Sequence, residues 1–287
     1  MGWGAAMSLM RAGFTVQGAD LRPDVLGRFG AEGGVAQPTA AAAAALSDII
    51  LIFVVNAAQL ETVLFGPGGA VAAARPGSCF ILCVTIAPSA AVAFGAQLAT
   101  AAMLSLDAPV SGGAAKALAG QMTIMASGSA ASFAAAAPVL GAIATRVFHL
   151  GDHPGPGSQV KMINQLLAGV HIAAMGEAMS LAAGIGLDLA TVHEVITASA
   201  GNSWMFENRG VHVVAGDYSP RSAVDIFVKD LGIVASEAAA AGMPTPLTQT
   251  ALALFAEAAG AGMGRQDDAA VAKVLARRGG VTLPGDA

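Results

Sequence analysis

The chain has 287 residues, 55% of them hydrophobic and 11% charged, with a formal net charge of −5. It is too apolar for a disordered segment. It lacks the basic face that non-specific nucleic-acid binding needs, and no run of Lys and Arg offers itself to a membrane surface. In chain order, the first half alternates. Strand-like runs are "FTVQGAD", "DIILIFVV", "SCFILCVT", "LSLDAPV", "QMTIMAS" and "RVFHLG". Between them lie alanine-rich helical segments at 23–29, 39–46, 58–65, 88–101 and 130–143, preceded by a first helix in "WGAAMSLMRAG". Continuous rather than alternating apolarity in the strands predicts a parallel sheet covered on both faces, hence an α/β domain. The most apolar stretch, "AAAAALSDIILIFVVNAA", is interrupted by Asp48 and closed by Asn56. Its uninterrupted core is far short of the roughly 20 residues a membrane span needs, so no membrane partner is expected, and no signal peptide is legible at the start.

After "GDHPGPG" the strands stop. The rest reads as helix at 158–184, 189–200, 203–215, 223–241 and 246–261. The expected architecture is a doubly wound α/β domain, residues 1–151, followed by an all-α domain, residues 152–287, for substrate binding and oligomerisation. The cleft between two domains is the common place for a small-molecule site. Cys79 and Cys83 share one strand face too far apart to bond, which fits free thiols in a reducing cytoplasm. The 5 histidines are scattered without ligand spacing, so no metal is expected.

Six stretches carry chemistry. Read back from Asp20, "WGAAMSLMRAGFTVQGAD" is a helix and a strand ending in an acid, the closing part of a dinucleotide-binding unit. Only Gly2 of the glycine fingerprint is present; on the family resemblance described below, the first strand and two glycines, about ten residues, are expected to be missing and dinucleotide binding to be weak. "VVNAA" places Val55 and Asn56, and "VTIAPSAA" places Thr85, after strand-like runs. "DAPVSGG" presents the hydroxyl of Ser111 and the bare backbone of Gly112 and Gly113. "GPGSQVKMINQLL" turns through Gly155 and Gly157 into a helix bearing Lys161, with Asn164 and Gln165 on nearly the same face. "SAVDIFVKDLGI" spaces Asp225 and Lys229 for an ordinary helical ion pair.

Across nearly the whole length these stretches resemble the β-hydroxyacid dehydrogenase family, the relatives of 3-hydroxyisobutyrate dehydrogenase, with Met1-Gly2 matching the tail of the family's opening G-x-G-x-M-G. The resemblance implies a Rossmann fold, NAD as cofactor, and a small sugar acid or hydroxy acid as substrate. It implies cofactor contacts at Gly2, Asp20, Val55, Asn56, Thr85 and Lys229. Asp20 favours NAD over NADP, because a carboxylate repels a 2′-phosphate, although Arg22 stands close by. It implies a carboxylate receptor at Ser111, Gly112 and Gly113, and catalysis by Lys161 with Asn164 and Gln165. Departures are Val84 and Ala87, where the family often has serines, and Gln165, where it commonly has a second asparagine. "INQLLAGVHIAA", "AGNSWMFENR" and "DYSPRSAVDIFVKDLG" resemble a branch that oxidises a four-carbon sugar acid at carbon 2. Asn202, Trp204 and Asn208 then line the polyol end of the pocket, or Trp204 and Phe206 are helix-packing core. Tartronate semialdehyde and 3-hydroxyisobutyrate chemistry use the same scaffold and lysine. A non-catalytic chain whose helical half is an oligomerisation module is the reading of another class. A cytoplasmic homodimer or homotetramer is expected.

Overall fold

The structure, a computed structural model, describes residues 1–286. Two compact units divide between Lys161 and Met162. The first runs α1 (Gly2–Arg11), β1 (Gln17–Gly18), α2 (Pro23–Ala31), β2 (Val35–Ala36), α3 (Ala40–Ala45), β3 (Ile49–Ile52), α4 (Ala57–Phe65), β4 (Cys79–Leu82) and α5 (Pro88–Thr100). It continues with β5 (Leu104–Asp107), β6 (Val110–Ser111), α6 (Gly113–Ala119), β7 (Met122–Ala126), α7 (Ala130–Ile143) and β8 (Ala144–His149). The helices start where local chemistry tells them to. Thr39, Asn56 and Ser129 each accept a hydrogen bond from the backbone N–H three residues on, taking donors a helix start leaves without internal partners. Pro23 and Pro88 stand in the first turn, where no N–H is needed.

The sheet is organised around β4, whose four residues are all buried. It pairs in parallel with β3 on one side and β5 on the other. Its alternation is hidden in sequence because both faces are covered. Cys79, Ile81 and Cys83 enter a core with Ala5, Leu9, Leu106, Ile124 and Ile143. Phe80, Leu82 and Val84 enter a second core with Leu60, Leu64, Phe94 and Leu98. At roughly 1.5–3 kcal/mol per fully buried large apolar side chain, this strand anchors the unit.

The expected fold class holds, but the strands bond as three groups rather than one continuous parallel sheet. Among the described residues β1 pairs with β2 alone, a two-residue strand too short to be read from sequence. β6 runs antiparallel to β7, which pairs in parallel with β8. The run "LSLDAPV" breaks at Ala108-Pro109 because proline cannot donate to a ladder, and the chain crosses there from β5 to β6. Helix α1 lies close on α6: a Cβ on Gly4 would stand 2.5 Å from the backbone N of Leu118. Ser8 Oγ donates to the carbonyl of Ala117 at 3.0 Å along the same contact.

Helix α8 (Pro156–Gly184) starts in the first unit and continues in the second. It is long and apolar enough to cross a membrane by length and composition alone, yet half of its most apolar window is buried inside the protein. The second unit adds α9 (Leu189–Thr197), α10 (Trp204–Ala215), α11 (Val224–Ala240), α12 (Pro246–Ala258) and α13 (Val271–Arg278). A π-helical turn at Ala259–Met263 and a 3-10 turn at Asp268–Ala270 lie between α12 and α13. Its core gathers Ile172, Met179, Phe206, Leu231 and Val271 around the stacked rings of Phe227 and Phe255, whose centroids are 5.1 Å apart. Ahead of α13 two carboxylates are buried together. Asp267 meets the His212 ring at 2.8 Å and accepts from the Arg221 N–H, and Asp268 accepts from Arg209 Nε at 2.5 Å.

Candidate active site

Residues that follow the C-terminal ends of β1, β3 and β4 stand at the edge of an open parallel sheet where ligands bind. After β1, Asp20 is exposed, its Oδ1 accepting the Arg22 N–H at 2.9 Å and lying 3.6 Å from Arg22 Nε. After β3, Val55 is exposed and Asn56 caps α4. Gln59 reciprocates, its N–H donating to Asn56 Oδ1 at 2.9 Å while its Oε1 accepts the Val55 N–H at 2.8 Å. This capping exchange fixes the turn after β3. Thr85 follows β4 and is half-buried. Gly2 is the first residue of α1, and a Cβ there would meet the Phe53 side chain at 3.2 Å. A carboxylate, a capped turn and a helix start, all beside the carboxyl ends of parallel strands, are a donor set that fits a dinucleotide.

Ser111 closes β6, and Gly112 and Gly113 lead into α6. Gly112 has φ 127 and Gly113 φ 73, a backbone region that residues with a Cβ enter only under strain. The two glycines turn the chain tightly from Ser111 into α6, with Gly113 exposed.

The start of α8 is held differently from the other helices. Gly155 has φ 126 and needs to be glycine. Gly157 is needed for another reason, close approach: a Cβ there would be 2.5 Å from the Met125 carbonyl oxygen and 2.6 Å from that of Asp107. Asp107, the last residue of β5, sends its carboxylate to this helix start. Oδ2 accepts the N–H of Gly155 at 3.0 Å and of Ser158 at 2.8 Å, and Oδ1 accepts the Ser158 hydroxyl at 2.7 Å. Burial pushes the Asp107 carboxyl above its usual range, against the pull of these hydrogen bonds. Lys161 follows in the next turn and is only 6% exposed.

Asn164 is half-buried and Gln165 buried. Asn164 Nδ2 donates to Gln165 Oε1 at 2.9 Å, and Gln165 Nε2 donates to Asp230 Oδ2 at 2.5 Å. Lys229 Nζ lies 2.5 Å from the other oxygen of Asp230. The spacing of Asp225 and Lys229 pointed to a helical ion pair, and the structure shows the lysine paired with its neighbour Asp230. Asp107 and Asp230 were both overlooked by sequence reasoning. The available signal was the same for each, an acid set inside an apolar run, "LSLDAPV" and "FVKDLGI". Farther along, Phe206 is core, whereas Trp204 is half exposed at the start of α10. Asn202 Nδ2 donates to the Thr197 carbonyl, and Asn208 Oδ1 accepts from Arg209 Nη1.

Comparison with known proteins extends this picture. Residues 1–151 match the model for the NAD binding domain of 6-phosphogluconate dehydrogenase. Residues 155–275 match that for the NAD-binding region of NADP-dependent 3-hydroxyisobutyrate dehydrogenase. An L-threonate dehydrogenase of Cupriavidus necator is 53% identical over 100% of this chain and 96% of its own. One from Escherichia coli K12 is 52% identical over 99% of this chain and 94% of its own. The crystal structure of a 3-hydroxyisobutyrate dehydrogenase from Salmonella typhimurium superposes with a TM-score of 0.92 at 52% identity, covering 95% of each chain. That of Mycobacterium tuberculosis 3-hydroxyisobutyrate dehydrogenase with L-serine has a TM-score of 0.83 at 29% identity, covering 96% of this chain and 95% of the other.

The fold and these matches define an NAD-dependent dehydrogenase that acts on a CH–OH group of a small hydroxy acid. The chain belongs to the β-hydroxyacid dehydrogenase family.

Proposed function

We propose that the chain oxidises L-threonate at carbon 2 to the 2-oxo acid, with Lys161 as general base. The observation that carries the mechanism is a lysine 6% exposed in the second turn of an apolar helix. The substrate rests on the relatives that share about half of the residues and are named for L-threonate.

A hydroxyl must lose its proton as hydride departs, and a base with pKa near the working pH serves best. A lysine in water, near 10.4, is too protonated. Burial disfavours the ammonium and shifts the balance toward the free amine, so Lys161 takes the proton in oxidation and returns it in reduction. The Ser111 hydroxyl and the N–H groups of Gly112 and Gly113 hold the substrate carboxylate. Asn164, three residues beyond Lys161 on one helix face, orients the reacting hydroxyl or the amine, and Gln165, tied to Asp230, holds Asn164 in turn. NAD, when bound, supplies the hydride acceptor. Gly2 at the start of α1, Asp20, the turn at Val55 and Asn56, and Thr85 are the residues that would hold it, with Asp20 selecting against a 2′-phosphate. Lys229 is a further cofactor residue.

Lys161→Ala should lower kcat by roughly 10²–10⁴-fold and leave the NADH dissociation constant nearly unchanged, and retained turnover rejects the base. In a panel of L-threonate, D-threonate, 3-hydroxyisobutyrate and tartronate semialdehyde, L-threonate should give the highest kcat/KM. A better substrate among the others overturns the substrate assignment while leaving the lysine in place. A homodimer or homotetramer in the cytoplasm completes the reading. It is supported by the exposed Ile163, Leu167 and Leu181 along α8 and Ile185 just after it, and by two unbonded thiols.

A further inference from the structure

The most heavily bonded buried charge in the first unit has no part in the reaction as described so far. Asp107 is 1% exposed. Its carboxylate takes the N–H groups of Gly155 and Ser158 and the Ser158 hydroxyl. Ser127, which pairs with it backbone to backbone, takes the N–H of Gly157 at 3.0 Å. The donors that the start of α8 leaves without internal partners are therefore met by two side chains reaching over from the sheet. The other helices with a side-chain cap, α3, α4, α7, α9 and α10, use the residue just before them. Here the cap comes from 48 residues away. A neutral cap would satisfy the same donors without the cost of a buried charge, so helix capping alone does not account for a carboxylate.

The connectivity does account for it. Asp107 ends β5, and four residues on the same chain reaches Ser111, Gly112 and Gly113. On the other side of the carboxylate, Ser158 is three residues ahead of Lys161. We propose that Asp107 is a positioning residue for the reaction, a buried brace that holds the start of α8, and so the Lys161 amine, at a fixed spacing from the loop that receives the substrate carboxylate. Ser127 is its second strut. The inference rests on the roles proposed above for Lys161 and Ser111.

The test compares Asp107→Ala, Asp107→Asn and Ser127→Ala with Thr39→Ala, which removes an ordinary cap from α3 in the same unit. Turnover is measured per NADH-binding site, with NADH affinity from fluorescence titration. A misplacement of about 1 Å costs roughly 10²-fold in rate. Asp107→Ala should therefore lower kcat by roughly 10²-fold, raise KM for the hydroxy acid and leave the NADH dissociation constant nearly unchanged. Asp107→Asn, whose amide oxygen can replace Oδ2 toward both N–H groups, should recover kcat to within about tenfold of wild type. Thr39→Ala should lower the melting temperature and keep wild-type kcat and KM. Wild-type kcat and KM in Asp107→Ala would overturn the proposal and leave a purely structural cap. If Asp107→Ala does not fold, Ser127→Ala decides. Stripping Gly157 N–H of its acceptor should lower kcat by roughly tenfold at unchanged NADH affinity, and wild-type kinetics there overturn the proposal equally. The two readings fail separately, since an active Lys161→Ala rejects the base, whereas an inactive Lys161→Ala beside a fully active Asp107→Ala rejects the brace.

Discussion

A single methyl group at Gly157 should test how tightly α8 is seated. In Gly157→Ala the new Cβ would lie 2.5 Å from the Met125 carbonyl oxygen, 2.6 Å from the Asp107 carbonyl oxygen and 3.1 Å from Asp107 Oδ2. The first two are backbone atoms of paired strands and cannot rotate away. Restoring an ordinary contact near 3.5 Å moves the helix start by roughly 1 Å. That motion stretches the bonds from Gly155 and Ser158 to Asp107, now 3.0 and 2.8 Å, beyond hydrogen-bonding range. Overpacking costs about 1–3 kcal/mol, each buried group left unpaired costs about 1–3 kcal/mol, and alanine's better helix propensity returns up to about 1 kcal/mol. The net loss is at least about 2 kcal/mol, a fall in melting temperature of at least roughly 4 °C. The assay pairs thermal unfolding with kcat, because Lys161 rides on the same turns and a 1 Å error is worth roughly 10²-fold. Gly27→Ala is the control, since an added Cβ there meets nothing within 4 Å. A Gly157→Ala protein that melts with the control and turns over like wild type would refute the reasoning.

Two further outcomes follow from buried ionisable groups. Burial raises the Cys79 thiol to about 11, and burial together with the charge of Asp107 raises Cys83 further still. Neither should react with a thiol reagent near pH 8 until the protein is unfolded, when both should, and rapid labelling of the native protein contradicts this. Burial holds the Asp268 carboxyl at about 6, with Arg209 pulling it down only in part. A folded value above the unfolded one means a contribution to stability that is complete below about pH 4 and lost as pH rises through about 6. The melting temperature of wild type relative to Asp268→Asn should thus decline between about pH 4 and pH 7, and a difference that stays constant over that range refutes the assignment.

The elements that local chemistry writes were legible. β4 announces itself by an unbroken apolar run, the helices that Thr39, Asn56 and Ser129 cap by their alanine-rich segments, and Lys161 by standing alone in an apolar helix. What escaped was set by distance along the chain. Asp107 and Asp230 look like stray acids until their partners arrive, 48 and 65 residues away. Asp225 drew attention because its spacing from Lys229 is the helical one, while the adjacent Asp230, not singled out, also takes the ammonium. The antiparallel turn of β6 depends on where the chain goes after Pro109, which no local window contains. Helix α13 was missed, the last helix read from sequence ending at 261. Its Lys273 is buried, with Nζ 3.8 Å above the Tyr218 ring, so charge was a poor guide to exposure there.

The division of strands into separate groups sets an order of opening. β4 is sealed between two neighbours and inside two cores, so its amide protons can exchange with solvent only when the whole unit lets go. β1 and β2 are joined over two residues and, among the described residues, hydrogen-bond to no further strand, so theirs are freed by a far smaller fluctuation. The margin that ends at Asp20 is thereby the most readily reshaped part of the sheet, and the strand leading to Thr85 the least.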